Sequence, residues 1–131
     1  MTLYDSSFLI DYLHGEPAPV EYAETHATDQ AKTIHLVSYE VYLGELHKSG
    51  EPDFDAVSAA LDWVTVVNYQ SEQTSRHAAE LMTRLHDAGA PLGTIDGYIT
   101  AAAWEMNETL ATRDADFDTP AVREEIDVDL V

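Results

Sequence analysis

The chain has 131 residues, enough for one domain with a real core and with little room for a second. Hydrophobic residues make up 45% of it, which argues against disorder, and the lack of cysteine excludes disulfides and thiolate metal sites. Against 25 acidic residues stand 6 basic ones, a formal net charge of −19 that sets the chain apart from ordinary nucleic-acid binders with a basic footprint.

Taken in chain order, Leu3-Tyr4 is a short strand ending at Asp5. Ser6 or Ser7 can cap a helix with Phe8, Leu9, Tyr12 and Leu13 on one side, which Gly15, Pro17 and Pro19 end. A second helix covers Val20 to about Asp29, followed by a strand over Thr33 to Val37. Ser38 caps a helix to about Ser49, with Gly50 closing it, and Asp53 to Asp62 forms another. Val64 to Val67 is a β-branched strand, and Ser71 to Ala88 the longest helix, with Ala78, Leu81, Met82 and Leu85 at helical spacing. Thr94 caps a helix with an apolar stripe of Ile95, Ile99, Ala102, Ala103 and Met106. Strands over Thr109 to Thr112 and Ile126 to Leu130 complete the chain. Short strands alternating with helices predict a single α/β domain over residues 1–131, in three layers, with a mostly parallel central sheet.

In open sheets of this kind ligands bind beyond the carboxyl ends of the strands. Four acids fall there or at helix starts. Asp5 ends the first strand, Glu40 and Asp96 lie in first turns of helices, and Asp114 follows the strand Thr109 to Thr112. Helix dipoles also favour acids at helix starts, so each residue alone is weak evidence of a site. Together, four carboxylates at one sheet edge could not all stay ionised unaided, and a divalent cation resolves the conflict. Hard oxygen donors suit Mg²⁺ or Mn²⁺.

The local segments are Asp5-Ser6-Ser7-Phe8-Leu9-Ile10, Ser38-Tyr39-Glu40-Val41-Tyr42-Leu43-Gly44, Asp96-Gly97-Tyr98-Ile99-Thr100-Ala101-Ala102-Ala103 and Thr112-Arg113-Asp114-Ala115-Asp116-Phe117. In this order and at these intervals they resemble PIN domains, most closely the VapC-type toxin ribonucleases, over essentially the whole chain. The resemblance implies a PIN-like fold, RNA as substrate, and Mg²⁺ or Mn²⁺ as cofactor. It carries the metal-site acids onto Asp5, Glu40, Asp96 and Asp114, with Asp116 as a fifth, and it matches Ser6 and Thr112 as hydroxyls that hold a carboxylate or phosphate. It further implies a cognate VapB-like antitoxin and a homodimer built on the first helices. Asp5 and Asp96 are then the main metal ligands, with Glu40 and Asp114 binding directly or through water, or orienting the attacking water. The short acidic stretch from Thr119 to Val131 and the scarcity of basic residues depart from the family pattern.

Phosphodiester hydrolysis needs an activated water, neutralised phosphate charge and a stabilised leaving oxygen, and two bound metals can supply all three. Arg113 adjoins Asp114 and can reach an RNA phosphate or equally pair with a surface acid. The six histidines show no zincin-like spacing and are expected on the surface or in packing. Tyr39, Tyr42 and Tyr98 can stack a base, though packing is the commoner role. A P-loop, a dinucleotide-binding glycine motif and a nucleophile elbow are all missing, and Ser7 stands where an aspartate-nucleophile phosphatase would want a second Asp. The alternatives are an RNA-processing nuclease without an antitoxin and a non-catalytic interaction module on the same fold. An acidic, lysine-poor chain resembles the proteins of salt-in halophiles. No apolar run can span a membrane, and the start Met-Thr-Leu-Tyr-Asp shows no leader, so the cytoplasm is the expected location.

Overall fold

The computed structural model describes residues 1–69 and 71–131. Five strands form one parallel sheet: β1 (Thr2–Tyr4), β2 (Ala31–Ile34), β3 (Thr65–Val67), β4 (Thr109–Thr112) and β5 (Val128–Leu130), in the order β3-β2-β1-β4-β5. The helices are α1 (Ser6–Leu13), α2 (Pro17–Thr25), α3 (His35–His47), α4 (Phe54–Ala60), α5 (Glu72–Asp87), α6 (Thr94–Met106) and α7 (Pro120–Glu125). Right-handed crossovers with this strand order place α1–α4 on one face of the sheet and α5–α7 on the other. The packing agrees: α1 touches α2 and α3, α5 pairs along α6, and Arg84 of α5 reaches Glu125 of α7. The predicted three-layer α/β fold is therefore the observed one.

The core lies where the central strands meet both helical layers. Leu3 and Tyr4 of β1, Leu110 of β4, Phe8 and Leu9 of α1, Leu85 of α5 and Ile99 of α6 are all fully buried. Tyr4 anchors an aromatic cluster with Phe8 at 4.7 Å and Trp63 at 5.1 Å between ring centres. Between α5 and α6 the helices approach so closely that a Cβ on Gly97 would collide with Met82 Sδ. Asp96, beside that glycine, is thus fixed by a tight helix pair.

Several boundaries differ from the sequence expectation. Pro17 and Pro19 do not end α1. Gly15, at φ +74°, ends it, and Pro17 opens α2 from its first position, where its missing N–H costs nothing. The strand expected over Thr33 to Val37 is Ala31–Ile34, because sheet pairing stops at the match of Ile34 with Val67. Val37 is buried as a helical residue, so Ser38 lies inside α3 and caps nothing, and Glu40 falls in the second turn rather than the first. Gly93, not Thr94, is the N-cap of α6. The acidic stretch after Thr119 contains a helix that hydrophobic patterning did not show. The Thr119 side chain caps it and Pro120 starts it. Among the described residues no helix is long and apolar enough to cross a membrane.

Candidate active site

Strand order reverses at β1, whose neighbours β2 and β4 lead the chain to opposite sides. A crevice forms at the carboxyl end of a sheet at such a point. Asp5 follows β1 directly, and Asp114 follows β4 by two residues. Asp96 enters from the third position of α6 and Glu40 from the second turn of α3.

Asp5 is 3% exposed and is the N-cap of α1. Its Oδ1 accepts from Phe8 N at 3.0 Å, and its Oδ2 accepts from the Thr112 hydroxyl at 2.5 Å. Ser7 Oγ lies 2.9 Å from both carboxylate oxygens. Burial pushes the Asp5 carboxyl up to about 6; the bonds from Thr112, Phe8 and Ser7 oppose that rise, and the charge of Asp114 adds to it. Ser6 Oγ donates to Glu40 Oε1 at 2.9 Å, tying α1 to α3. Asp114 caps a single 3₁₀ turn, Ala115–Phe117, by accepting from Asp116 N at 2.9 Å. Asp116 itself is exposed at the rim.

Asp96 shows that these acids form one electrostatic unit. Burial, then the charges of Glu40, Asp114, Asp5 and Asp116, push its carboxyl up to about 6. The charges of the other four acids named from the sequence thus all act on Asp96. Ser6 and Thr112 hold carboxylates. The guanidinium of Arg113 donates to Asp11 Oδ2 at 2.9 Å and to the Val131 backbone oxygen at 2.9 Å, so it is engaged by an acid of α1 and by the end of β5.

The tyrosines go to three different places. Tyr39 is exposed, Tyr42 packs on Phe54 with ring centres 5.0 Å apart, and the Tyr98 hydroxyl bonds Ser75 Oγ at 2.9 Å. Of the histidines, His14, His35, His47 and His86 are exposed, His26 stacks on Tyr22, and His77 pairs with Glu105 at 3.0 Å. Sequence reasoning gave Ser7 only a capping role and gave Asp11 none. The available signal was the second hydroxyl of the Asp-Ser-Ser run.

Among the described residues no three acidic or histidine side chains stand around one point at ligand distance. The donor set still fits a hard divalent cation: carboxylate oxygens oriented by hydroxyls, and only negative charges among the groups that act on Asp96.

The PIN domain family matches residues 2–122, and the chain belongs to that family. PIN domains are generally nucleases and generally use divalent ions such as Mg²⁺. The fold is shared with chains of several solved complexes. VapBC2 from Rickettsia felis bound to a promoter DNA fragment has 18% identity over 98% of this chain and 96% of that one, with a TM-score of 0.76. FitAcB from Neisseria gonorrhoeae has 19% identity over 98% and 96%, with a TM-score of 0.79. DNA-bound VapBC from Salmonella typhimurium has 17% identity over the same shares, with a TM-score of 0.80. No curated protein matches the sequence.

Proposed function

We propose that the chain is a divalent-metal-dependent endoribonuclease and the toxin of a VapBC-type pair. The observation that carries this reading is the placement of Asp5, Glu40, Asp96 and Asp114 at the strand-order switch of a PIN fold, with Ser6 tying Glu40 to α1 and Thr112 tying Asp5 to the Asp114 amide, and with burial and then the charges of the other three raising Asp96. These four side chains would hold Mg²⁺ or Mn²⁺, with Asp116 as a further oxygen donor at the rim. Bound there, the ion supplies Lewis-acid polarisation of a phosphate and a more acidic water.

The chain's own residues do the rest. Thr112, Ser7 and the Phe8 amide hold the Asp5 carboxylate in one orientation. Ser6 engages Glu40 Oε1 and leaves Oε2 to accept a proton from the attacking water. Asp5 and Thr112 are buried at the floor of the site, whereas Asp116 is exposed to solvent. Arg113 is held by Asp11 through Nε and by the Val131 backbone oxygen through Nη1, which leaves Nη2 as its donor for a phosphate.

The antitoxin part of the proposal is supported by the VapBC and FitAcB complexes among the fold neighbours. A basic side chain of the partner, best an arginine, would pair with the acids. A valley of about 520 Å³ between α1, α3 and α4, lined by Ile10, Leu13, Val41 and Val57 and also by Glu45, Lys48 and Asp53, would take the side chains beside it. A homodimer belongs to the same proposal. Expressed without its partner, the chain should arrest growth, and Asp96→Ala should abolish the arrest with an unchanged circular dichroism spectrum. Full toxicity of a folded Asp96→Ala protein overturns the mechanism. RNA cleavage in vitro without toxicity favours the processing nuclease.

A further inference from the structure

We propose that Ser7 is a positioning residue of the acid site, the joint that fixes the Asp5 carboxylate and the chain leaving β4 to one another. Its role toward a metal rests on the reading above; its role as a joint does not.

The case begins with proton bookkeeping. A serine hydroxyl has one proton to give. Ser7 Oγ sits 2.9 Å from both Asp5 oxygens and accepts from Arg113 N at 3.0 Å. The amide fills a lone pair, so the hydroxyl proton is left for the carboxylate. Thr112 repeats the pattern: its hydroxyl donates to Asp5 Oδ2 and accepts from Asp114 N at 3.0 Å. Two consecutive amides thus feed two hydroxyls, and both hydroxyls converge on one carboxylate. Ser7 and Thr112 oxygens are themselves 3.2 Å apart.

Ordinary capping does not explain this arrangement. The cap of α1 is already made by Asp5 on Phe8 N, and Ser7 bonds no amide of its own helix. Its bonds run to the acid before it and to an amide 106 positions further along the chain. Without the hydroxyl, the buried Asp5 carboxylate loses a donor and the Arg113 amide loses its acceptor. The carboxylate is then held by the Phe8 amide and the Thr112 hydroxyl alone, and the backbone that presents Asp114 loosens with it. Groups that orient metal ligands from behind typically change affinity or activity about tenfold to a hundredfold when removed.

The test compares wild type, Ser7→Ala, Ser7→Thr and Ser71→Ala. Ser71 caps α5 through Thr74 N and serves as the purely structural control. Amide exchange is followed in metal-free protein, and Mn²⁺ binding by paramagnetic resonance. Ser7→Ala should accelerate exchange at Arg113 and weaken Mn²⁺ binding by about tenfold or more. Ser7→Thr should restore both, and Ser71→Ala should lower the melting temperature with Mn²⁺ binding unchanged. Wild-type exchange at Arg113 in Ser7→Ala overturns the joint, and faster exchange with unchanged Mn²⁺ affinity overturns its role toward the metal. If the wild type itself binds no Mn²⁺, the metal reading fails, and exchange at Arg113 alone decides the joint.

Discussion

Asp5 and Asp96 carry the cost of the site, because both carboxyls stand at about 6 against an ordinary 3.8. A carboxyl raised on folding binds its proton more tightly in the folded state. Between about pH 4 and pH 6 the folded chain then holds more protons than the unfolded one, so stability falls as pH rises through that window. Above it the full penalty remains. Asp96→Asn should therefore melt higher than wild type at pH 7.5 in chelator, with the gain vanishing near pH 4. Added Mn²⁺ should raise the melting temperature of wild type and leave the variant unchanged. Calorimetry across pH checks both, and a variant no more stable than wild type at pH 7.5 would contradict the cost of burying that charge among the other acids. Glu108 poses the opposite problem at the other end of β4. Its side chain is fully buried, with Lys32 Nζ at 2.8 Å as its ionic partner and with Oε2 unbonded. Lys32→Met leaves that charge unpaired and should cost about 3–5 kcal/mol in urea unfolding.

At the scale of elements, the two helical glycines near the acids do different things. A Cβ on Gly44 would meet Ile10 Cδ1 at 3.5 Å, an ordinary contact, whereas one on Gly97 would collide with Met82. Gly44→Ala should stabilise by about 0.5–1 kcal/mol through helix propensity. Gly97→Ala gains the same propensity and loses packing, so it should melt below Gly44→Ala; the reverse order would show that Met82 moves aside freely. The same elements mark what the sequence reveals. Most helices, four of the five strands and the acids at their ends follow from periodicity and from small polar residues at junctions. The end of β2 does not, because Val37 suits a strand and a buried helix face equally, and only pairing with β3 decides between them. The last helix is marked by Thr119-Pro120 alone, since its acidic residues hide any apolar stripe. The partners of Ser7 were out of reach, because one of them lies 106 positions away.

At the scale of the molecule, charge dominates. All six lysines and arginines are paired with carboxylates: Lys32 with Glu108, Lys48 with Glu45, Arg76 with Glu72, Arg84 with Glu125, Arg113 with Asp11 and Arg123 with Asp118. The net −19 is left to solvent ions, so the melting temperature should climb from low to molar KCl as screening relieves self-repulsion. A melting temperature independent of KCl would contradict this. On the proposed reading an RNA substrate meets a surface whose few cations all have acidic neighbours, and cleavage should lack the steep loss with salt that counterion release gives basic proteins. The most direct test of the account is cleavage of defined tRNA and rRNA substrates in molar KCl, with Mn²⁺ or with chelator, by wild type and by Asp96→Asn. The account predicts cut RNA from wild type with Mn²⁺ alone; cutting in chelator, or by the folded variant, would contradict it.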